Sequence, residues 1–172
     1  KYHYLLFTPF RYPPQKFGSR FGTRSEPSLF YGSLSLETAF TETAYYRFLF
    51  WYDMEDAPGR SLLTHHTLFG VSYRSVNAIQ LHQDPYINYR DAISHPKEYK
   101  TSQKLGLAMR ESGVELFEYH SARHTDGINV ALFSPENFLS RDPEYSRQCM
   151  CETKGESVII KDNGNVYKFE LE

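Results

Sequence analysis

Cysteine is nearly missing from this 172-residue chain, which holds only Cys149 and Cys151. Set two positions apart, they project from one face if their segment is a strand, and adjacent same-face positions do not suit a disulfide. So low a count excludes a disulfide-stapled secreted scaffold, and a reducing, cytoplasmic setting is the expectation. Long apolar runs are missing as well. No stretch approaches the ~18 residues of a membrane span and no signal peptide is visible, so no membrane partner is expected. Neither sign of charge dominates: 19 Lys and Arg face 21 Asp and Glu, for a net charge of −2. That balance disfavours binding to nucleic acid through bulk charge, and no direct nucleic-acid contact is expected. The chain opens on Lys1 rather than Met, as expected of a piece lacking its native N-terminal segment.

Aromatic residues are abundant, with 14 Tyr and 13 Phe. Most should fill a core, but tyrosine brings a hydroxyl with each ring, which suits a pocket that stacks a planar ligand and hydrogen-bonds it. The length fits one domain over residues 1–172. Residues 4–7 predict a short strand, followed by an irregular stretch over 9–27 in which Pro13 and Pro14 exclude regular helix. Residues 29–32 read as a buried strand. Ser33 or Ser35 then caps a helix whose stripe Leu36, Phe40, Thr43 or Ala44, and Arg47 or Phe48 carries it to about Trp51. A turn at 56–59 leads to strands at 62–73 and 76–81. His95-Pro96 opens a second helix, with Tyr99, Leu105 and Met109 inward and Gly113 as its stop. Strands at 114–119 and 128–133 enclose an Arg- and His-bearing loop, and 158–160 and 166–171 flank an Asn-Gly hairpin turn. The expectation is α+β: a mixed, mostly antiparallel β core with two principal helices, and no repeats.

Three residues from consecutive elements form a candidate site. Arg20 lies between the flexible positions Gly18 and Gly22, Tyr31 ends a strand, and Glu42 sits about two turns into the helix. A cation, a phenol and a carboxylate at one pocket wall suit a ligand with phosphates, a planar base and a sugar hydroxyl, because a guanidinium fork meets phosphate with two parallel hydrogen bonds. Glu37 rivals Glu42, but the two cannot point equally well into one pocket. Other signals are weaker. His65 and His66 point to opposite faces of a strand, and Cys149-x-Cys151 is too closely spaced for structural zinc, so no metal is expected. There is no Gly-x-Ser-x-Gly elbow for a serine hydrolase, although His120 and His124 lie near Ser121. Walker and Gly-x-Gly-x-x-Gly loops are missing. The acidic, aromatic segment 50–56 reads as a solvated helix end.

Longer motifs add to this set. Gly18-Ser19-Arg20-Phe21, then Leu29-Phe30-Tyr31-Gly32-Ser33, then Glu37-Thr38-Ala39-Phe40-Thr41-Glu42 resemble the first signature of the RES (Arg-Glu-Ser) family. Tyr119-His120-Ser121-Ala122-Arg123 followed by Gly127-Ile128-Asn129 resembles its second. Arg20 and Tyr31, like Tyr31 and Glu42, stand eleven positions apart, close to the family spacing. One departure is Gly22, where many members carry Asn.

The resemblance implies a fold similar to diphtheria-toxin-like ADP-ribosyltransferases and the use of NAD+ as substrate, with no further cofactor. It assigns catalytic roles to Arg20, Tyr31, Glu42 and Ser121. It matches Arg11 and Arg123 to family positions, and the substrate-binding candidates are Arg11, Arg24, Arg123, His124 and Asn129. The implied reaction is cleavage of the nicotinamide–ribose bond to water or phosphate by a toxin-like enzyme that depletes NAD+. Its implied partner is an Xre-type antitoxin, and a homo-oligomer is left open. The alternatives are mono-ADP-ribosylation of a protein, with the same first step, and a non-catalytic nucleic-acid-binding module using the Arg and aromatic loop, which predicts salt-sensitive binding and no turnover.

Overall fold

The computed structural model describes residues 1–14, 16–57 and 59–171, so Pro58 in the turn expected at 56–59 lies outside the described residues. The architecture is α+β, built on two four-stranded sheets. The first sheet runs β1 (Phe30–Ser33), β5 (Ile128–Leu132), β4 (Leu116–His120), β3 (Ala78–Gln80), with the β3–β4 pair parallel and the others antiparallel. The second is antiparallel, in the order β2 (Leu62–Gly70), β6 (Tyr145–Lys154), β7 (Ser157–Asp162), β8 (Asn165–Glu170). The helices are α1 (Tyr4–Arg11), α2 (Leu36–Tyr52), α3 (Arg90–Ile93) and α4 (Lys100–Glu111). Among the described residues no helix is long and apolar enough to cross a membrane.

Residues 4–7 are not a strand but the start of α1, where the His3 imidazole accepts the Leu5 N–H at 3.3 Å. Leu6 and Phe10, four residues apart on α1, pack together with Tyr2, Phe30, Leu116, Val130 and Leu132. That helical stripe outweighs the local strand preference of an apolar run. Ser35 proves to be the α2 cap, accepting the Thr38 N–H at 3.2 Å. The second principal helix starts later than expected. The His95 Nδ1 accepts the Lys97 and Glu98 N–H groups, so His95-Pro96 forms a turn and the helix begins at Lys100. β1 lies one residue later than expected, β3, β4 and β5 are shorter than expected, and β2 stops at Gly70, leaving Tyr73 in an isolated bridge to Phe138. The Cys149 and Cys151 thiols share the buried face of β6, free and packed with Phe40, Ala44 and Phe48 of α2. The Asn163-Gly164 turn joins β7 to β8 as expected, both residues having positive φ.

Two faces of the first sheet divide the labour. Phe30, Val130 and Leu132 pack on the α1 side, whereas Tyr31, Ala131, Phe117 and Tyr119 face Phe21 and Met109 of α4. Phe21, 1% exposed, meets the Phe117 and Tyr119 rings edge-on with centroids at 4.6 and 4.7 Å. Burying such a ring contributes about 1.5–3 kcal/mol, and each edge-on pair adds about 0.5–1.5 kcal/mol. The irregular stretch before β1 is thereby pinned at its end. α4 completes the anchorage: Ser102 donates to the Arg20 carbonyl at 2.7 Å and Gln103 to that of Ser19 at 3.0 Å.

Gly106 makes this docking possible, since a Cβ there would lie 1.9 Å from the Phe21 carbonyl oxygen. Gly106→Ala should therefore force α4 off the loop and cost about 1–3 kcal/mol, as overpacking does. At roughly 2–4 °C per kcal/mol for a chain of this size, calorimetry should show a lowered melting temperature. An unchanged melt would refute the close packing of α4 on Phe21.

Candidate functional site

Register builds the floor of the site. Ser33 of β1 lies opposite Asn129 of β5, which lies opposite Tyr119 of β4, so one row crosses three strands on the face that carries Tyr31. Helix α2 leaves β1 within three residues and presents Thr38, Glu42, Tyr45 and Tyr46 at helical spacing towards this row. Its other stripe packs on the second sheet.

Glu42 is where these elements meet. Its Oε1 accepts the Ser121 hydroxyl at 2.6 Å and the Asn129 Nδ2 at 2.7 Å. Its Oε2 carries no hydrogen bond among the described residues. Ser121 is itself locked: its Oγ accepts the Arg123 and His124 N–H groups, both at 3.0 Å, and its own N–H reaches the Gly127 carbonyl at 2.8 Å. A Cβ at Gly127 would fall 2.7 Å from Thr38, so only glycine lets this loop lie against α2. The His124 Nδ1 and the Thr38 hydroxyl share a hydrogen bond of 2.9 Å across the same seam. Glu37 points elsewhere, exposed in the first turn of α2, where a carboxylate complements the helix dipole.

Neither histidine beside Ser121 reaches its hydroxyl. His124 is taken by Thr38, and both His120 ring nitrogens are buried without a hydrogen bond among the described residues. Burial, then Arg90 and His82, lowers the His120 pKa. The Ser121 proton goes to a carboxylate, so the arrangement is no Ser/His nucleophile pair.

The Tyr31 hydroxyl accepts the Phe21 N–H at 3.1 Å and shares a 2.8 Å hydrogen bond with Ser19. Burial raises its pKa, against the pull of Ser19, Phe21 and Arg20. Tyr31 thus holds the turn that carries Arg20. Gly22 closes that turn, its carbonyl accepting the Ser19 N–H at 2.7 Å. The Arg20 guanidinium stacks 4.6 Å from the Tyr99 ring centroid and donates to the His95 carbonyl at 2.8 Å. Arg123 lies 3.4 Å from the Tyr45 centroid and donates to the adjacent Pro96 carbonyl. Two guanidiniums therefore clasp consecutive carbonyls of one short segment.

Arg11 and Arg24 are not drawn in. Both are exposed, and no hydrogen bond or ion pair ties either to this cluster among the described residues. Arg11 is the last residue of α1, which packs on the opposite face of the first sheet, with its guanidinium over Tyr12.

Four tyrosines at the site were not among the site residues expected from the sequence. Tyr45 and Tyr46 stand three and four positions beyond Glu42, a helical spacing that could have found them. The Tyr46 ring is 57% exposed, and its phenol is pushed up to about 12 by desolvation, Tyr99 and Glu42, against Arg20 and Arg123. Tyr119 is buried and its phenol lies well above its ordinary value, through burial first and then Tyr31 and Glu42. Tyr99 precedes α4 and was marked only as core-facing. A cavity of about 420 Å³ opens beside Ser121, bounded by Arg90, Ser94, His95 and Pro96. That volume lies within the range of small-molecule sites, roughly 300–1,000 Å³.

Comparison with curated proteins finds no match. The family described as RES domain matches the chain over residues 1–151, which takes in Arg20, Tyr31, Glu42, Ser121 and Asn129. With that span covering most of its 172 residues, the chain belongs to the RES domain family.

Proposed function

We propose that the chain cleaves the nicotinamide–ribose bond of NAD+, passing the ADP-ribosyl group to water or inorganic phosphate. One observation carries this reading: Glu42 is gripped through one oxygen while the other is left free, in a setting that holds two stacked arginines. Breaking the C1′–N bond gives neutral nicotinamide, which keeps the bonding electron pair, and an oxocarbenium-like ribose. A fixed carboxylate stabilises that developing charge without reorganising, as in glycoside hydrolysis. Attack by water then yields ADP-ribose and one proton; attack by phosphate yields the phosphorylated product.

Residue roles follow from the contacts. Glu42 Oε2 faces the ribose, and Ser121 and Asn129 aim it. Arg20 and Arg123 clamp the pyrophosphate, exchanging the His95 and Pro96 carbonyls for phosphate oxygens. Tyr31 acts through the Arg20 turn, and Tyr46 and Tyr99 offer ring faces to the bases. His124 ties the Ser121 loop to α2. The ADP-ribosyltransferase likeness of the fold and an Xre-type antitoxin as partner belong to the same reading and rest on the family resemblance.

The direct experiment incubates purified protein with NAD+, with and without inorganic phosphate, and resolves the products by mass. Loss of NAD+ with release of nicotinamide is expected; no loss in either buffer from folded protein would refute the reading. Label recovered in protein instead of free ADP-ribose would point to protein modification.

Glu42→Gln keeps the side-chain shape but removes the charge. Its kcat should fall about 10²–10³-fold, the scale for losing a preorganised electrostatic contact, with KM little changed. Steady-state kinetics beside a thermal melt checks this, and wild-type turnover would exclude Glu42 from the chemistry. Arg123→Ala should weaken NAD+ binding roughly 10–100-fold, as expected when a hydrogen bond to a charged group worth about 1.5–3 kcal/mol is lost. Nicotinamide riboside, which has no phosphate, should be turned over equally by both proteins. An equal loss on both substrates would place Arg123 outside the pyrophosphate clamp.

A further inference from the structure

Beyond the residues that surround Glu42, the row across the first sheet holds one more polar side chain. Ser33 donates to the Asn129 Oδ1 at 2.7 Å, and Asn129 donates to the Glu42 Oε1 at 2.7 Å. We propose that Ser33 is a positioning residue: it holds the Asn129 amide on Glu42 and so fixes which carboxylate oxygen is presented to the substrate. Its catalytic consequence rests on the NAD+ reading above.

Donor and acceptor inventory sets the direction of this chain. A carboxylate only accepts, so the Asn129 amide must turn its Nδ2 towards Glu42 and its Oδ1 away. Asn129 is 4% exposed, so water cannot readily serve the Oδ1, and Ser33 supplies its hydrogen bond. The three groups form a one-way series ending on the negative charge, an order in which each bond polarises the next. Remove the Ser33 hydroxyl and a buried carbonyl oxygen is left unpaired, so the amide turns to find another donor. Glu42 Oε1 then keeps only Ser121, and the carboxylate is free to swing.

Strand register makes Ser33 the residue for this task. It stands directly across from Asn129 in the antiparallel β1–β5 pair, where side chains on one face lie close enough to bond. Two donors on Oε1 leave Oε2 as the oxygen that meets substrate. The other titratable and charged groups here are Tyr46 on α2 and Tyr119 on β4, whose phenols Glu42 raises, with Arg20 on the turn before β1, Tyr99 before α4 and Arg123 after β4, which act on Tyr46. None of them hydrogen-bonds Asn129 among the described residues, so none can substitute for Ser33.

The test compares wild type with Ser33→Ala and Ser33→Thr, using kinetics together with nitrogen-15 NMR of the Asn129 side-chain amide, assigned by its loss in Asn129→Ala. Ser33→Ala should lower kcat by about tenfold with KM unchanged, less than the hundredfold that a 1 Å misplacement can cost. Ser33→Thr, which keeps the hydroxyl, should restore kcat. The Asn129 amide protons should shift upfield and exchange faster in Ser33→Ala, and return towards wild type in Ser33→Thr. An Asn129 signal unmoved by Ser33→Ala overturns the proposal, as does a threonine variant that behaves like alanine in a folded protein. Should wild type turn over no NAD+, the enzymatic reading falls by itself, while the amide signal still decides whether Ser33 holds Asn129 on Glu42.

Discussion

One carboxylate oxygen, Glu42 Oε1, joins three parts of the chain that are distant in sequence. Through Ser121 it holds the loop after β4, through Asn129 it holds β5, and Glu42 itself belongs to α2. Remove the acceptor and two buried donors lose their partner together, because Ser121 and Asn129 are both enclosed. A half-satisfied polar network is costly in a low-dielectric interior, whereas a fully satisfied one is rigid. Here the satisfied state also leaves the second oxygen free. On the proposed reading, stability and chemistry are thus divided between the two oxygens of one side chain.

Much of this was legible in the sequence, in a particular way. The helix carrying Glu42 could be read from the stripe Leu36, Phe40, Thr43 or Ala44, and Arg47 or Phe48, and in the structure Glu42 meets Ser121 and Asn129 while Glu37 is exposed. The motif residues Arg20, Tyr31, Ser121 and Asn129 likewise fall around one cluster. Their division of labour was not legible. Tyr31, Ser121 and Asn129 look like substrate contacts in a motif, yet their polar atoms are largely taken by Ser19, Phe21, Ser33 and Glu42. Hydrogen-bond saturation is a property of three-dimensional neighbours, and spacing cannot show it. The same limit applies to α1. Residues 4–7 have the composition of a strand, and only the surface offered by Phe30, Val130 and Leu132 makes the helical stripe of Leu6 and Phe10 the better solution. Arg11 and Arg24 lie apart from the cluster for a related reason: charge near a motif does not fix which way a side chain leaves the surface.

The arginines add a constraint that acts before any ligand arrives. Each guanidinium lies against a tyrosine face, Arg20 on Tyr99 and Arg123 on Tyr45, and each spends hydrogen bonds on a carbonyl of the His95-Pro96 segment. A guanidinium has five N–H donors, so a single carbonyl leaves most of the fork unused. On the proposed reading an incoming pyrophosphate meets side chains whose rotamers are already restricted by the rings beneath them. Ordering a long side chain at an interface costs about 0.5–1.5 kcal/mol, and stacking removes part of that cost in advance. The exchange then favours the ligand because phosphate carries charge and takes the fork through two oxygens, whereas a carbonyl is neutral and offers one.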